Sequence, residues 1–216
     1  SEGSSNSAVI RDAVTQEVIQ INNVYENLDS REISGVDIGV VYDFETAIGD
    51  FEFTANAAHL TKFEQVADPV SALLVAAQEA GNPAVPADRT IANVGDLTMQ
   101  NGNPEWRVKT SLNWKLDNLT AGISANYTSE VVDSSTTATV DGEVIKLPVD
   151  SYTTVNVYSS YRFDNSDMLE GLKVRVGIRN ITDEEPPLAD ELAHGYFGSL
   201  HSNRGRYFYL DISKTF

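Results

Sequence analysis

The chain has 216 residues, 41% of them apolar, with 32 acidic against 15 basic side chains and a formal net charge of -17. That size and composition suit one large β domain, while so acidic a balance argues against nucleic acid or an anionic membrane surface as a partner and for a face that attracts cations. The absence of cysteine removes disulfide frameworks and thiolate metal sites, and no run of about 18 apolar residues offers a transmembrane helix.

Residues 1–7 are small and polar and read as loop. The start SEGSSNSAVI has neither the charged nor the apolar region of a signal peptide, so an exported protein of this sequence would have its true N-terminus elsewhere. From Ala8 to Tyr25 the pattern suggests a hairpin with its turn near Asp12 to Gln16, and residues 1–31 together are expected to form an external loop or hairpin segment. From Glu32 the alternation is clear. Val36, Ile38, Val40, Tyr42 and Phe44 share one face opposite Asp37, Gly39, Val41 and Asp43, and after a turn at Thr46 to Gly49 the chain returns with Phe51, Phe53, Ala55 and Ala57 on one side. Residues 67–102 form a long loop, inside which Pro69 to Ala80 has the composition and flanking signals of a short helix. Two more strands, around 107–115 and 119–128, meet at Asp117-Asn118. The loop 132–150 carries a possible hairpin at Asp141-Gly142. Strands at 151–163 and 172–178 follow, then a loop over 182–204 and the terminal strand GRYFYLDISKTF from Gly205 to Phe216.

These seven strands predict an all-β fold, an antiparallel transmembrane β-barrel meander spanning residues 32–216. Its connections alternate short and long, as barrels with tight periplasmic turns and long external loops do. Charge is sorted onto one face, where Arg107, Lys109, Arg162, Lys173, Arg175 and Asp211 are read as lining a lumen; charge on a lipid face costs about 2–4 kcal/mol at mid-bilayer. Level ends would set Arg175 opposite Asp211 within ion-pair reach. A soluble acidic carbohydrate-binding β-sandwich and a smaller outer-membrane barrel serving as adhesin or scaffold stay open as alternatives.

Three segments carry a resemblance. RDAVTQEVIQINNVYENLDSREISGVDIGVVYDF from Arg11, VRVGIRNITDEEPP from Val174 to Pro187 and HSNRGRYFYLDISKTF at the end resemble the C-terminal barrel portion of TonB-dependent outer-membrane receptors. The resemblance implies a barrel of about 22 strands closed around a plug, set in the outer membrane of a Gram-negative cell. Such a receptor imports a scarce nutrient, a siderophore, cobalamin or a glycan, with energy from an inner-membrane TonB complex. The implied partners are the remainder of the receptor, whose plug meets that complex, the lipid bilayer and the small ligand. Seven strands cannot close such a barrel, so the chain is expected to be a fragment, a cleavage product or one chain of a larger receptor. Phe208, Leu210, Ile212 and Phe216 are similar to the C-terminal signal for barrel insertion.

No nucleophile elbow, P-loop or H-E-x-x-H motif occurs, and His59, His194 and His201 lack metal-ligand spacing, so no enzyme, metal site or cofactor is expected. The loop 186–204 is the candidate ligand-capture element. His194, Tyr196, Phe197, His201 and Arg204 concentrate stacking and hydrogen-bonding groups just above the terminal strand.

Overall fold

The computed structural model describes residues 9–22, 30–91, 94–141, 143–164, 168–190 and 194–215. A hairpin of β1 (Val9–Arg11) and β2 (Val18–Ile21) comes first, its turn held by the Asp12 carboxylate, which accepts from the backbone N–H groups of Val14 and Thr15 at 2.8 Å each. Then β3 (Arg31–Thr46) and β4 (Gly49–Gln65) run as a long antiparallel pair. Helix α1 (Pro69–Glu79) follows, with Asp68 as its N-cap and proline in its first turn, and the two-residue strand β5 (Gly95–Asp96) pairs with the end of β4. The remaining strands are β6 (Trp106–Leu116), β7 (Leu119–Thr128), the hairpin β8 (Val131–Val140) and β9 (Glu143–Val149), β10 (Tyr152–Phe163), β11 (Leu172–Arg179) and β12 (Tyr207–Lys214).

One antiparallel path runs β3-β4-β6-β7-β10-β11-β12, each strand beside its predecessor, with β3 and β12 as open edges. This is the meander expected from the sequence. The terminal strand is shorter than its pattern suggested; Gly205, at φ +60°, bends the chain just before it, and Phe216 lies outside the described residues. The connection 132–150 is not an open loop but the β8–β9 hairpin, turning at Asp141 with φ +52°; Gly142 also falls outside the described residues.

Register puts every charged side chain of β6, β10 and β11 on one face. Across the sheet, Phe44, Phe51 and Trp114 stand in one row of the apolar face, while Asp43, Glu52 and Asn113 stand in the next row on the polar face. No second sheet covers either face, since each strand touches only its ladder neighbours. The apolar face is consequently bare, with Ile38 50%, Val176 52%, Leu210 62% and Phe208 73% exposed. So large an uncovered apolar band fits a hydrocarbon surround and not water. The sandwich alternative fails here, because Val155, Val157, Val174 and Val176 are not sealed between two layers.

Both faces are built for a close-laid wall. Tyr158 lies flat over Gly122 of the neighbouring strand, where an added Cβ would stand 2.5 Å from the ring, and its hydroxyl donates to Asn113 Oδ1 at 2.9 Å. Tyr209 covers Gly177 in the same way. Aromatic cover of a strand glycine restores the packing that glycine lacks. At the short-turn end, the Trp114 indole N–H donates to the Ile48 carbonyl at 2.7 Å and anchors the β3–β4 turn.

Candidate functional site

The three long connections meet at one end of the sheet and fold into a single cap. Its small core is Val131, Val149 and Ala189, with Phe197 and Leu200 packed against it. Polar contacts weld the pieces together. Asp133, only 2% exposed, accepts from Asp190 N at 2.7 Å and from Ser135 N at 2.9 Å. Asn101 and Ser134 exchange two bonds, Ser134 N to Asn101 Oδ1 at 2.8 Å and Asn101 Nδ2 to Ser134 Oγ at 2.6 Å, and Thr90 Oγ1 donates to the Ser134 carbonyl at 2.8 Å. Apart from the local Ser135–Asp133 bond, each of these joins the hairpin to another connection.

Beneath the cap, the segment RNITDEE forms a latch between β11 and β12. Asn180 takes the left-handed conformation, φ +50°; its side-chain oxygen accepts from Glu184 N at 3.0 Å, and its amide donates to the Glu184 carbonyl at 2.9 Å. Asparagine tolerates that backbone and closes the turn with its own side chain. Asp183 then receives the Arg206 backbone N–H at 2.6 Å and its guanidinium at 3.3 Å, fixing the start of β12. Thus the two C-terminal segments singled out in the sequence hold each other.

The latch and cap roof a polar cavity of about 250 Å³ on the polar face, lined by Asn126, Tyr152, Thr154, Asn156, Arg179, Asn180, Ser202, Arg204, Gly205 and Tyr207. Tyr152 donates to the Ser202 carbonyl at 2.9 Å and ties the roof to β10, and Asn156 Oδ1 accepts from Asn180 N at 3.0 Å. Arg179 lies over the Tyr209 ring, 5.7 Å from its centroid.

The TonB dependent receptor-like β-barrel family model matches residues 5–181. The chain belongs to this family. Its members are receptors and transporters of the Gram-negative outer membrane and not enzymes. Among solved structures, a mutant of the ferric enterobactin receptor PfeA of Pseudomonas aeruginosa is similar with a TM-score of 0.51 at 15% identity, over 88% of this chain and 23% of that one. The ferric citrate transporter FecA in its unliganded form gives a TM-score of 0.48 at 14% identity over 76% and 21%, and P. aeruginosa FpvA bound to a heterologous pyoverdine gives 0.37 at 16% over 70% and 16%. The PfeA likeness bears on fold alone. The chain thus spans between 16% and 23% of the length of these receptors. No curated protein matches it in sequence.

Within this receptor wall, the predicted capture residues do not form one cluster. Arg204 is exposed and lines the cavity, whereas His194 and Tyr196 sit on the cap and contact each other edge-on, ring centroids 5.6 Å apart. Phe197 packs into the cap core, and His201 is 6% exposed beside Tyr152, neither ring nitrogen having a partner. Burial pushes the His201 imidazole below its ordinary pKa of 6.5. Of the barrel-signal set, Phe208, Leu210 and Ile212 stand exposed on the apolar face.

The six charges read as lumen-facing all fall on the polar face by register: Arg107, Lys109, Arg162, Lys173, Arg175 and Asp211. Arg175 stands directly opposite Asp211, as expected. The expected ion pair is not formed. The Arg175 guanidinium lies instead on the ring of Tyr158, 3.7 Å from its centroid, reached diagonally across β10–β11. A flat aromatic held over glycine offers that cation a large contact face, and Arg stacks there well. Sequence reasoning missed Arg179, Asn126, Asn156, Tyr152 and Tyr207 as cavity residues. Their period-two placement put them on the correct face, but only the roof contributed by 202–205 makes them a site.

Proposed function

We propose that the chain is the C-terminal part of the barrel wall of a TonB-dependent receptor that imports a scarce nutrient across the outer membrane. Residues 32–216 supply strands and long loops, residues 1–31 an external hairpin segment, and the long-loop end faces outward. The remainder of the receptor closes the barrel and provides the plug, through which the inner-membrane TonB complex acts; lipid meets the apolar face. A nutrient of the kinds carried by related receptors is captured at the long-loop end, with His194, Tyr196 and Arg204 offered on the cap and its roof, and with Phe197 and His201 holding the cap in shape.

The observation that carries this reading is the coincidence of three features on one sheet: an apolar face left bare, a polar face continuous from end to end, and a polar cavity where that face passes under the cap. A barrel wall needs the first two. A receptor needs the third. The chain lacks cysteine, so sidedness is testable with single cysteines in a complete receptor. Ser199→Cys should react with a membrane-impermeant maleimide in intact cells, and Ile48→Cys only after the outer membrane is opened. The reverse labelling pattern would refute the proposed orientation.

A further inference from the structure

We propose that the cavity under residues 202–205 binds an anion, a small ligand carrying carboxylate or phosphate groups, through Arg179 and Arg204. This rests on the import reading and names the substrate class for it.

Arg206 is held by Asp183 at 3.3 Å, but among the described residues no ion pair engages Arg179 or Arg204. Both line the cavity, together with Asn126, Asn156, Tyr152 and Tyr207; the Tyr152 hydroxyl hydrogen is committed to the Ser202 carbonyl. The Asn156 side-chain oxygen is already occupied by Asn180 N–H and its amide nitrogen donates to Ser124 Oγ at 3.4 Å, which leaves one amide hydrogen to turn to a ligand. Two guanidinium groups beside neutral donors form a receptor for planar oxyanions.

The wall leading from the cavity carries charge of the same sign. Along the polar face of β6, β7, β10, β11 and β12, register places seven basic residues: three on β6 with Lys115 the last, Arg162 on β10, and three on β11. Asp211 is the sole carboxylate on that face of those strands, and none of the seven bases is in an ion pair among the described residues. In a chain of net charge -17, this basic strip runs against composition. Over the same face of β3 and β4, from Asp37 to Glu45 and from Asp50 to Ala58, there are five carboxylates and no base. A cationic solute would settle on that side. An anion is drawn to the β6–β12 side, whose like charges sum into one field along the path to the cavity.

The test uses the complete receptor, purified and checked for a folded barrel, and titrated calorimetrically with citrate, inorganic phosphate, maltose and spermidine at low and high salt. Citrate or phosphate should bind saturably and more tightly than the neutral or cationic probe, and high salt should weaken the binding. The double variant R179Q/R204Q should lose about tenfold or more in affinity, because it removes both charge-assisted contacts. R179K/R204K should recover part of that loss, which separates charge from folding. Anion binding no tighter than that of maltose, or binding unmoved by R179Q/R204Q, would overturn the proposal, as would cross-linking that places an acidic segment of the receptor itself on Arg179 and Arg204. Energised uptake is scored separately. Import of a neutral nutrient with wild-type efficiency in R179Q/R204Q sinks the anion site and spares the import reading, whereas anion binding without any energised uptake does the opposite.

Discussion

The cap and the wall are held together by different physics. Among the described residues the wall has no interior: its strands touch only their neighbours in the ladder, one face is bare and apolar, and its order comes from backbone pairing. The cap has a true, if small, core in Val131, Val149 and Ala189, and several buried polar groups that each join segments far apart in sequence. The lesson is that point substitutions should injure the cap locally and sharply. In the wall they should act through register and face.

The sharpest way to expose the difference is Asp133→Ala. It removes the buried acceptor of the Asp190 and Ser135 backbone N–H groups, at a cost of about 1–3 kcal/mol in all. Hydrogen exchange in a complete receptor should show the amides of 131–135 and 189–201 opening together while those of β6, β7 and β10 stay protected; uniform loss across the wall would mean that the two regions are not separable. Next in size is Gly122→Val. The new side chain displaces Tyr158 from its strand neighbour, at about 1–3 kcal/mol for an overpacked site, and breaks the bond to Asn113. The paired change Tyr158→Ala should restore much of the loss, and a fully additive double mutant in thermal unfolding would contradict the close packing described.

A smaller effect is gated by pH. His201 is buried with no partner for a second N–H, so its folded-state pKa lies below 6.5. The unfolded cap then binds more protons than the folded one as pH falls below 6.5, and cap stability drops with it. His201→Phe should remove this pH dependence from cap exchange rates without altering the wall; a slope unchanged by the substitution would exclude His201 as its source. Smallest is Asp68→Ala, which removes the cap that accepts from Val70 N at 2.9 Å and Ser71 N at 3.0 Å. It should cost α1 about 1 kcal/mol, and because no residue of α1 is buried the loss should stay within 66–91.

The same contrast explains what could be read from the sequence. The wall was legible because alternation of period two repeats over strands such as Val36–Phe44 and Leu172–Ile178, and because a one-residue slip would turn every charge to the lipid side. Even the Arg175–Asp211 register followed from level strand ends. Their ion pair did not, since the choice of Tyr158 by Arg175 depends on a ring two strands from Asp211, laid across Gly122 on the strand beyond. The cap was legible only in pieces: the turn at Asp141 and helix α1 carry local signals, whereas Asn101–Ser134 and Asp133–Asp190 are contacts without any local pattern. Composition misled in a specific way. Net acidity suggested a cation-attracting face, which describes β3 and β4 but averages away the basic inner strip of β6 to β12.

If one side of this sheet meets lipid and the other an aqueous lumen, accessibility must alternate residue by residue along each strand. Spin labels placed singly at each position from 172 to 179 in a complete, membrane-embedded receptor test it most directly. Labels at 174, 176 and 178 should be quenched by oxygen dissolved in lipid and shielded from a water-soluble nickel chelate, and labels at 173, 175 and 179 should show the opposite. Accessibility that lacks the period of two, or that puts position 175 in lipid and 176 in water, would contradict the account.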